Sequence, residues 1–391
     1  MYILMMVISL SLSVLILKGL SFDKGIYNDK GVKSLSGLRC LLAAIVAFSH
    51  VAHYLYSIDH DWIYNKDYFS WFSEGNFFVN AGKFGVLIFF MISAFLFYRL
   101  IYSEKYSTSG LFTSRVKRIV PMFWFTGFVV FTIGAFNGEL PDQLTTLKDF
   151  VMWMLFVGNY HIGDFNTSAV NAGVEWTLRI EWLLYASIPL VYYLNILTKR
   201  KHTTTLVLGS IAAIFAVGYG IRLNSQSYCD PRPVLGFATG FFCYRYASLL
   251  APLKESKPAA ALCVFLAAFS LLFTSNALFY LFFFASLSII FAVACSGNSI
   301  FGILENRILM SIGEVSYSLY LMHGIVLYFM KKIPVFYLKE SWLSCLLFCT
   351  VFFVVSFSLS KLTYLYIEKP FMKFKFRKPS LPFTPPPAAG M

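Results

Sequence analysis

Apolar segments of roughly twenty residues recur along this chain with only short polar stretches between them, and that recurrence limits the fold more than any other feature. A helix needs about 20 apolar residues to cross the ~30 Å hydrocarbon layer. Hydrocarbon offers no hydrogen-bond partner to a backbone amide, so segments of this length close their hydrogen bonds internally as helices. Composition agrees: 58% of the 391 residues are hydrophobic and 13% are charged, against about 25% charged in a soluble domain. The 43 Phe and 24 Tyr suit lipid-facing surfaces and interfacial belts. The expected fold is an all-α polytopic membrane protein without a soluble domain. It comprises about ten core helices and one further N-terminal transmembrane helix.

Within that pattern, SGLRCLLAAIVAFSHVAHYLY, from Ser36 to Tyr56, is the segment the others are expected to serve. It carries Arg39 at its start and His50 and His53 well inside. At 1.5 Å per residue His50 lies roughly 16 to 17 Å along the axis from Arg39, at least halfway across the bilayer. An ionisable group at that depth faces a protein interior or a watery cavity and marks function. The structural alternative is a neutral histidine making one interhelical hydrogen bond.

Charge orients the chain. Tyr2 to Leu17 has no positive residue before it and no cleavage site after it, so it reads as an uncleaved anchor. Lys18, Lys24, Lys30 and Lys33 follow, placing its C-terminal end and Arg39 at the cytoplasmic face. Residues 59–83 then form an outer loop, Phe84 to Tyr102 returns, and residues 103–118 are a basic cytoplasmic segment. Ile119 to Phe136 leads out to an acidic loop, in which Phe150 to Val157 is a re-entrant or interfacial piece. Val174 to Leu197 runs inward. Further spans are expected near residues 205–222, 234–250, 258–273, 277–296, 311–330 and 342–366. On this count most basic clusters fall on one side, with Lys331, Lys332 and Lys339 the exception. Three regions result: an anchor with its linker (1–31), a membrane core (32–373) and a basic, then Pro-rich, disordered tail (374–391).

The net charge of +13 fits basic cytoplasmic loops and calls for no nucleic acid. The seven cysteines are scattered and give no disulfide framework. His53, His60 and Asp61 provide no ligand set of convincing spacing, so no metal is expected. Four polar groupings stand out instead. Arg115 and Arg118, three apart in SRVKRIVP, share a helical face and suit bidentate phosphate recognition, or equally lipid headgroups, with Pro121 suited to a helix's first turn. Glu175 and Arg179 are four apart and can pair. Glu181 lies on another part of that helix, where it could orient a histidine, bind an acceptor hydroxyl, or pair with Arg179 or Arg222. Ser316, Tyr320 and His323 form a polar stripe at i, i+4 and i+7, facing something polar or bonding between helices.

These segments together resemble the acyltransferase-3 family of integral membrane acyltransferases. Arg39 and His50 match its arginine, ten residues, histidine signature. SLSGLR resembles the lead-in DGLRA, with Ser36 where aspartate is common. GVLIFFMISAFLFYRL, from Gly85 to Leu100, resembles VxxFFxLSGFL with Ala94 for glycine. Arg115 and Arg118 match RxxR, WTLRIEW matches WSLxxEW with Glu181 at the acid, SYSLYLMH matches SYSLYLxH with His323 at the histidine, and IEKPF, from Ile367 to Phe371, matches the terminal motif. The resemblance runs from about Val32 to Lys373 in order.

It implies a ten-helix core that moves an acyl group, usually acetyl, from cytoplasmic acyl-coenzyme A to a hydroxyl, often on an extracytoplasmic glycan. It implies His50 as the catalytic residue and Arg39, Arg115 and Arg118 as coenzyme-binding residues. The esterase-like domain that some relatives add is not expected here. Glu181 and His323 are expected to support His50 or the acceptor, and Trp176, Ser316 and Tyr320 to line the substrate site. The expected partners are the bilayer, acetyl-CoA and a lipid-linked glycan acceptor, with lipopolysaccharide O-antigen the first choice, in the bacterial inner membrane. The rival reading is a transporter of a lipid-linked sugar or proton-coupled solute, which calls for pseudo-symmetric halves that the sequence does not display.

Overall fold

Helices make up most of what the computed structural model describes, residues 2–27, 32–56, 75–104, 106–140, 143–157, 161–224, 230–272, 277–333 and 341–374. In chain order they are α1 (Tyr2–Gly19), α2 (Lys33–Tyr56), α3 (Gly75–Tyr98), α4 (Thr108–Phe136), α5 (Gln143–Met154), α6 (Ser168–Asn171), α7 (Trp176–Leu197) and α8 (Thr203–Asn224). They continue with α9 (Gly236–Arg245), α10 (Ala247–Leu250), α11 (Lys257–Leu272), α12 (Ala277–Cys295), α13 (Arg307–Glu314), α14 (Ser316–Met330), α15 (Trp342–Thr363) and α16 (Lys369–Lys373). Among the described residues the one sheet is a two-stranded hairpin pairing His161 with Asn166 and Ile162 with Phe165.

Six of the described helices are long and apolar enough to cross a membrane alone, and Arg232–Arg245 with Ala247–Leu253, bent by 83°, makes a seventh as a pair. Shorter apolar helices at Ile3–Gly19, Lys257–Leu272 and Phe279–Cys295 complete an all-α polytopic membrane protein.

Four boundaries differ from those expected. The returning helix begins at Gly75, inside the expected outer loop. The basic segment before Ile119 is itself helical: Ser107 caps α4 by accepting from the Gly110 amide at 3.1 Å, and the helix runs through Pro121. Pro121 is therefore an interior residue and not a first-turn one. Charged side chains had masked a helix that continues beyond the apolar stretch. The expected span 234–250 bends sharply after Arg245. The expected span 311–330 is two helices meeting at Val315, and Asn306 caps the first by accepting from the Ile308 and Leu309 amides.

Close backbone contacts set the arrangement around α2. A β-carbon on Gly313 of α13 would lie 1.8 Å from the Ser36 carbonyl oxygen, so only glycine permits this approach. Likewise a β-carbon on Gly324 of α14 would lie 2.5 Å from the Asn171 carbonyl carbon of α6. α1 packs on α15, where the Ser13 hydroxyl donates to the Thr350 carbonyl at 3.2 Å. The interior contains two hydrophobic clusters, and Phe97 and Tyr320 pack against both. The polar site lies along that seam. His60, Asp61, Cys229, Lys339 and the tail beyond Phe374 fall outside the described residues.

Candidate active site

At one end of the bundle α2, α3 and α4 enclose a mouth of about 480 Å³ whose walls include Arg39, Arg99, Arg115 and Arg118. Three of these guanidinium groups are brought together from distant segments: Arg39 by the first turns of α2, Arg115 and Arg118 by one face of α4. Arg115 lies over the rings of Phe97, at 4.7 Å, and Tyr185, at 5.9 Å. Arg118 is 33% exposed and faces the fully buried Glu368 carboxylate at 3.8 Å. The Ser318 hydroxyl donates to the other oxygen of Glu368 at 3.0 Å. At the rim Ser36 donates to Glu314 at 3.2 Å. The serine found where aspartate was the expected residue thus meets a carboxylate without repulsion.

The mouth shares Arg39, Arg115 and Arg118 with an inner cavity of about 130 Å³, also walled by Ser93, Glu181, Tyr185, Ser316, Tyr317 and Tyr320. Glu181 accepts from Ser93 at 3.1 Å and from Tyr185 at 2.8 Å. Its carboxylate therefore sits among the arginines, with two hydroxyls fixing it. Tyr317 donates to the Ile119 carbonyl at 2.8 Å. Tyr320 closes the far end. Its hydroxyl donates to the Val174 carbonyl at 2.9 Å and lies 3.0 Å from the Thr177 hydroxyl.

Beyond Tyr320 the rings form a file. The centroid of Tyr320 is 6.2 Å from that of His323, which is 5.1 Å from that of His50, which in turn is 6.1 Å from that of His53. Both central imidazoles are buried, His50 at 7% exposure and His323 at 0%. His50 Nδ1 lies 3.0 Å from the Val46 carbonyl, and His323 Nδ1 lies 3.3 Å from the Leu319 carbonyl. A carbonyl only accepts, so in the neutral rings both Nδ1 atoms carry the proton. The one His50 Nδ1–H is then shared between the Val46 carbonyl and His323 Nε2, 3.1 Å away. His50 Nε2 is left as the unprotonated nitrogen.

The structure thus joins His50 with His323, and Arg39, Arg115 and Arg118 with Glu181, Ser316 and Tyr320. Glu181 is held by Ser93 and Tyr185 and makes no hydrogen bond to the histidine pair. Trp176 packs 6.4 Å from Phe90 in a hydrophobic cluster and lies outside the cavity walls described above. Glu175, expected to pair with Arg179, accepts from Trp153 and Asn171, each at 3.1 Å. Sequence reasoning missed Ser93, Tyr185, Tyr317 and Glu368. Tyr185 had a readable signal, lying one helical turn beyond Glu181. Glu368 stands in the quoted IEKPF motif, but its partner Ser318 is 50 residues away.

The family described as Acyltransferase domain matches residues 32–361. Across 393 residues, covering 90% of this chain, the sequence is 26% identical to O-acetyltransferase OatA of Staphylococcus aureus (strain NCTC 8325 / PS 47). The chain spans 59% of that relative's length. Across 165 residues, 41% of this chain and 49% of the relative, it is 27% identical to exopolysaccharide production protein ExoZ of Rhizobium meliloti (strain 1021). No solved structure matches the chain.

Proposed function

This chain belongs to the acyltransferase-3 family, and from that membership we propose that it is a membrane O-acetyltransferase moving acetyl from cytoplasmic acetyl-CoA to a sugar hydroxyl of a surface glycan. The observation that carries the reading is the route from an arginine-walled mouth to the tyrosine beside a hydrogen-bonded histidine pair. Coenzyme A is multiply phosphorylated, and guanidinium groups recognise phosphate by paired, charge-assisted hydrogen bonds. Arg39, Arg115 and Arg118 would hold the nucleotide end. The thin pantetheine arm would run past Glu181 and Ser316 towards Tyr320.

His50 Nε2 then acts as general base. As the acceptor oxygen attacks the thioester carbonyl carbon, its proton passes to Nε2. The C–S bond breaks and the leaving thiolate takes that proton. While His50 is protonated, its Nδ1–H donates to His323, which stabilises the added charge. A covalent acetyl-imidazole on His50 is the variant of this scheme in which the ring itself receives the acyl group.

The name of OatA supports O-acetyl transfer and that of ExoZ supports a polysaccharide product. Lipopolysaccharide O-antigen, reached from a bacterial inner membrane, is the first acceptor to test and exopolysaccharide the second. Membrane vesicles supplied with labelled acetyl-CoA provide that test. The intact protein should leave label covalently on the glycan, and His50→Ala at equal expression should lower turnover by roughly 10²- to 10⁴-fold. Near-normal labelling by His50→Ala, or solute movement without labelling, would overturn the proposal.

A further inference from the structure

Glu368 is fully buried, and one of its carboxylate oxygens, Oε1, makes no hydrogen bond. A carboxylate taken out of water persists only where a cation and hydrogen bonds replace its hydration. One of each is present. Ser318 Oγ donates to Oε2 at 3.0 Å, and Arg118 Nε lies 3.8 Å from Oε1. The second separation exceeds hydrogen-bond range, so that pair attracts by charge alone. The other carboxylates beside the arginines are engaged elsewhere: Glu181 accepts from Ser93 and Tyr185, and Glu314 from Ser36.

Local structure aims Glu368 at Arg118. After Thr363 the helix α15 widens into a π-helical turn, Tyr364–Glu368, and α16 begins at Lys369. Pro370, which has no amide hydrogen to continue the α ladder, follows directly. A π-helical turn re-aims the side chains around it and recurs at functional sites. Its flanks are tied down, because Lys361 donates to the Phe22 carbonyl at 2.7 Å and Lys369 to the Gly25 carbonyl at 2.6 Å. From the other side, α14 contributes two neighbouring residues. Tyr317 donates to the carbonyl of Ile119, next to Arg118 in sequence, while Ser318 fixes the carboxylate. Backbone and side chain of Arg118 are thereby set by one helix and one turn.

The contact with Glu368 is made at Nε, the guanidinium nitrogen nearest the chain. A charge held on that edge leaves the two terminal amino groups for paired hydrogen bonds to a phosphate. Arg118 lines both the mouth and the inner cavity. Resting on the proposed function for the identity of the ligand, we infer that Glu368 is a positioning residue for the donor: it holds Arg118 by the Nε edge so that the end of the guanidinium meets a phosphate of coenzyme A. Charge alone has the opposite sign, since a carboxylate beside Arg118 repels phosphate and its removal would tighten binding.

The purified full chain in nanodiscs of neutral phospholipid, titrated with acetyl-CoA, tests this. Glu368→Gln, nearly equal in shape, should raise Kd for acetyl-CoA roughly three- to tenfold, with KM for acetyl-CoA rising in step and kcat near the wild-type value. Ser318→Ala, which leaves the carboxylate charged but less fixed, should shift Kd in the same direction by less, and it carries the test should Glu368→Gln not fold. Arg118→Ala/Glu368→Gln should bind no more weakly than Arg118→Ala, because Glu368 acts through the arginine. Unchanged or tighter binding by Glu368→Gln, or by Ser318→Ala where only that variant folds, would overturn the inference. So would additive losses in the double variant, or a lowered thermal midpoint with unaltered Kd. If Arg118→Ala loses affinity and Glu368→Gln does not, the donor site stands and the positioning role falls; if Arg118→Ala binds acetyl-CoA like the wild type, both fall.

Discussion

His50 and His323 are equal in chemistry but not in what their hydrogen bonds assign to them. In the tautomers those contacts call for, His50 donates through Nδ1 and His323 accepts. Losing a hydrogen bond to a charged group costs about 1.5–3 kcal/mol, so His323→Ala should lower kcat by roughly ten- to a hundredfold. KM for acetyl-CoA should hardly move. His323→Gln, whose amide oxygen can accept from His50, should recover part of the loss, and steady-state kinetics at saturating donor would show this. Arg118→Ala should act on the other substrate: KM for acetyl-CoA should rise by roughly tenfold or more while KM for the acceptor stays near its original value. The reverse pattern would remove Arg118 from the donor site. Arg39 and His50 were legible in the sequence because eleven residues of helix fix their separation. The contact between His50 and His323 was not, because the two lie 273 positions apart and no local pattern encodes it. The same limit hid Ser318 and Glu368.

At the scale of elements, apolar length located the helices, whereas their ends depended on signals weaker than hydropathy. α4 begins at a serine cap within a basic stretch, and its charged first turns looked like loop. Val315 separates α13 from α14 inside a continuous apolar run, where hydropathy carries no mark of a break. The glycines were silent too, since the space that requires them belongs to other helices. Gly324 is the instructive case. Its α-carbon hydrogen faces the Asn171 backbone, and a β-carbon would approach to 2.5 Å. Overpacking of this kind costs about 1–3 kcal/mol. Gly324→Val should lower the thermal midpoint in detergent and, because His323 is the preceding residue, depress kcat as well. An unchanged midpoint would show that α14 can move away from α6 without penalty.

Across the molecule, Arg39 and His50 follow one another along α2 and Ser316 and His323 along α14, so both helices run from the arginine-walled mouth into the bundle. On the proposed reading the donor enters at that mouth. The inner cavity, however, stops at Tyr320, whose hydroxyl is held by the Val174 carbonyl and neighbours Thr177. On the proposed donor path that arrangement would act as an airlock for an activated ester: a thioester in the cavity would stay behind the Tyr320 ring until acceptor arrives, and acetate would not be squandered on water. Wild-type protein should hydrolyse acetyl-CoA slowly when no glycan is supplied, and Tyr320→Ala should raise that idle hydrolysis several-fold even as productive transfer falls.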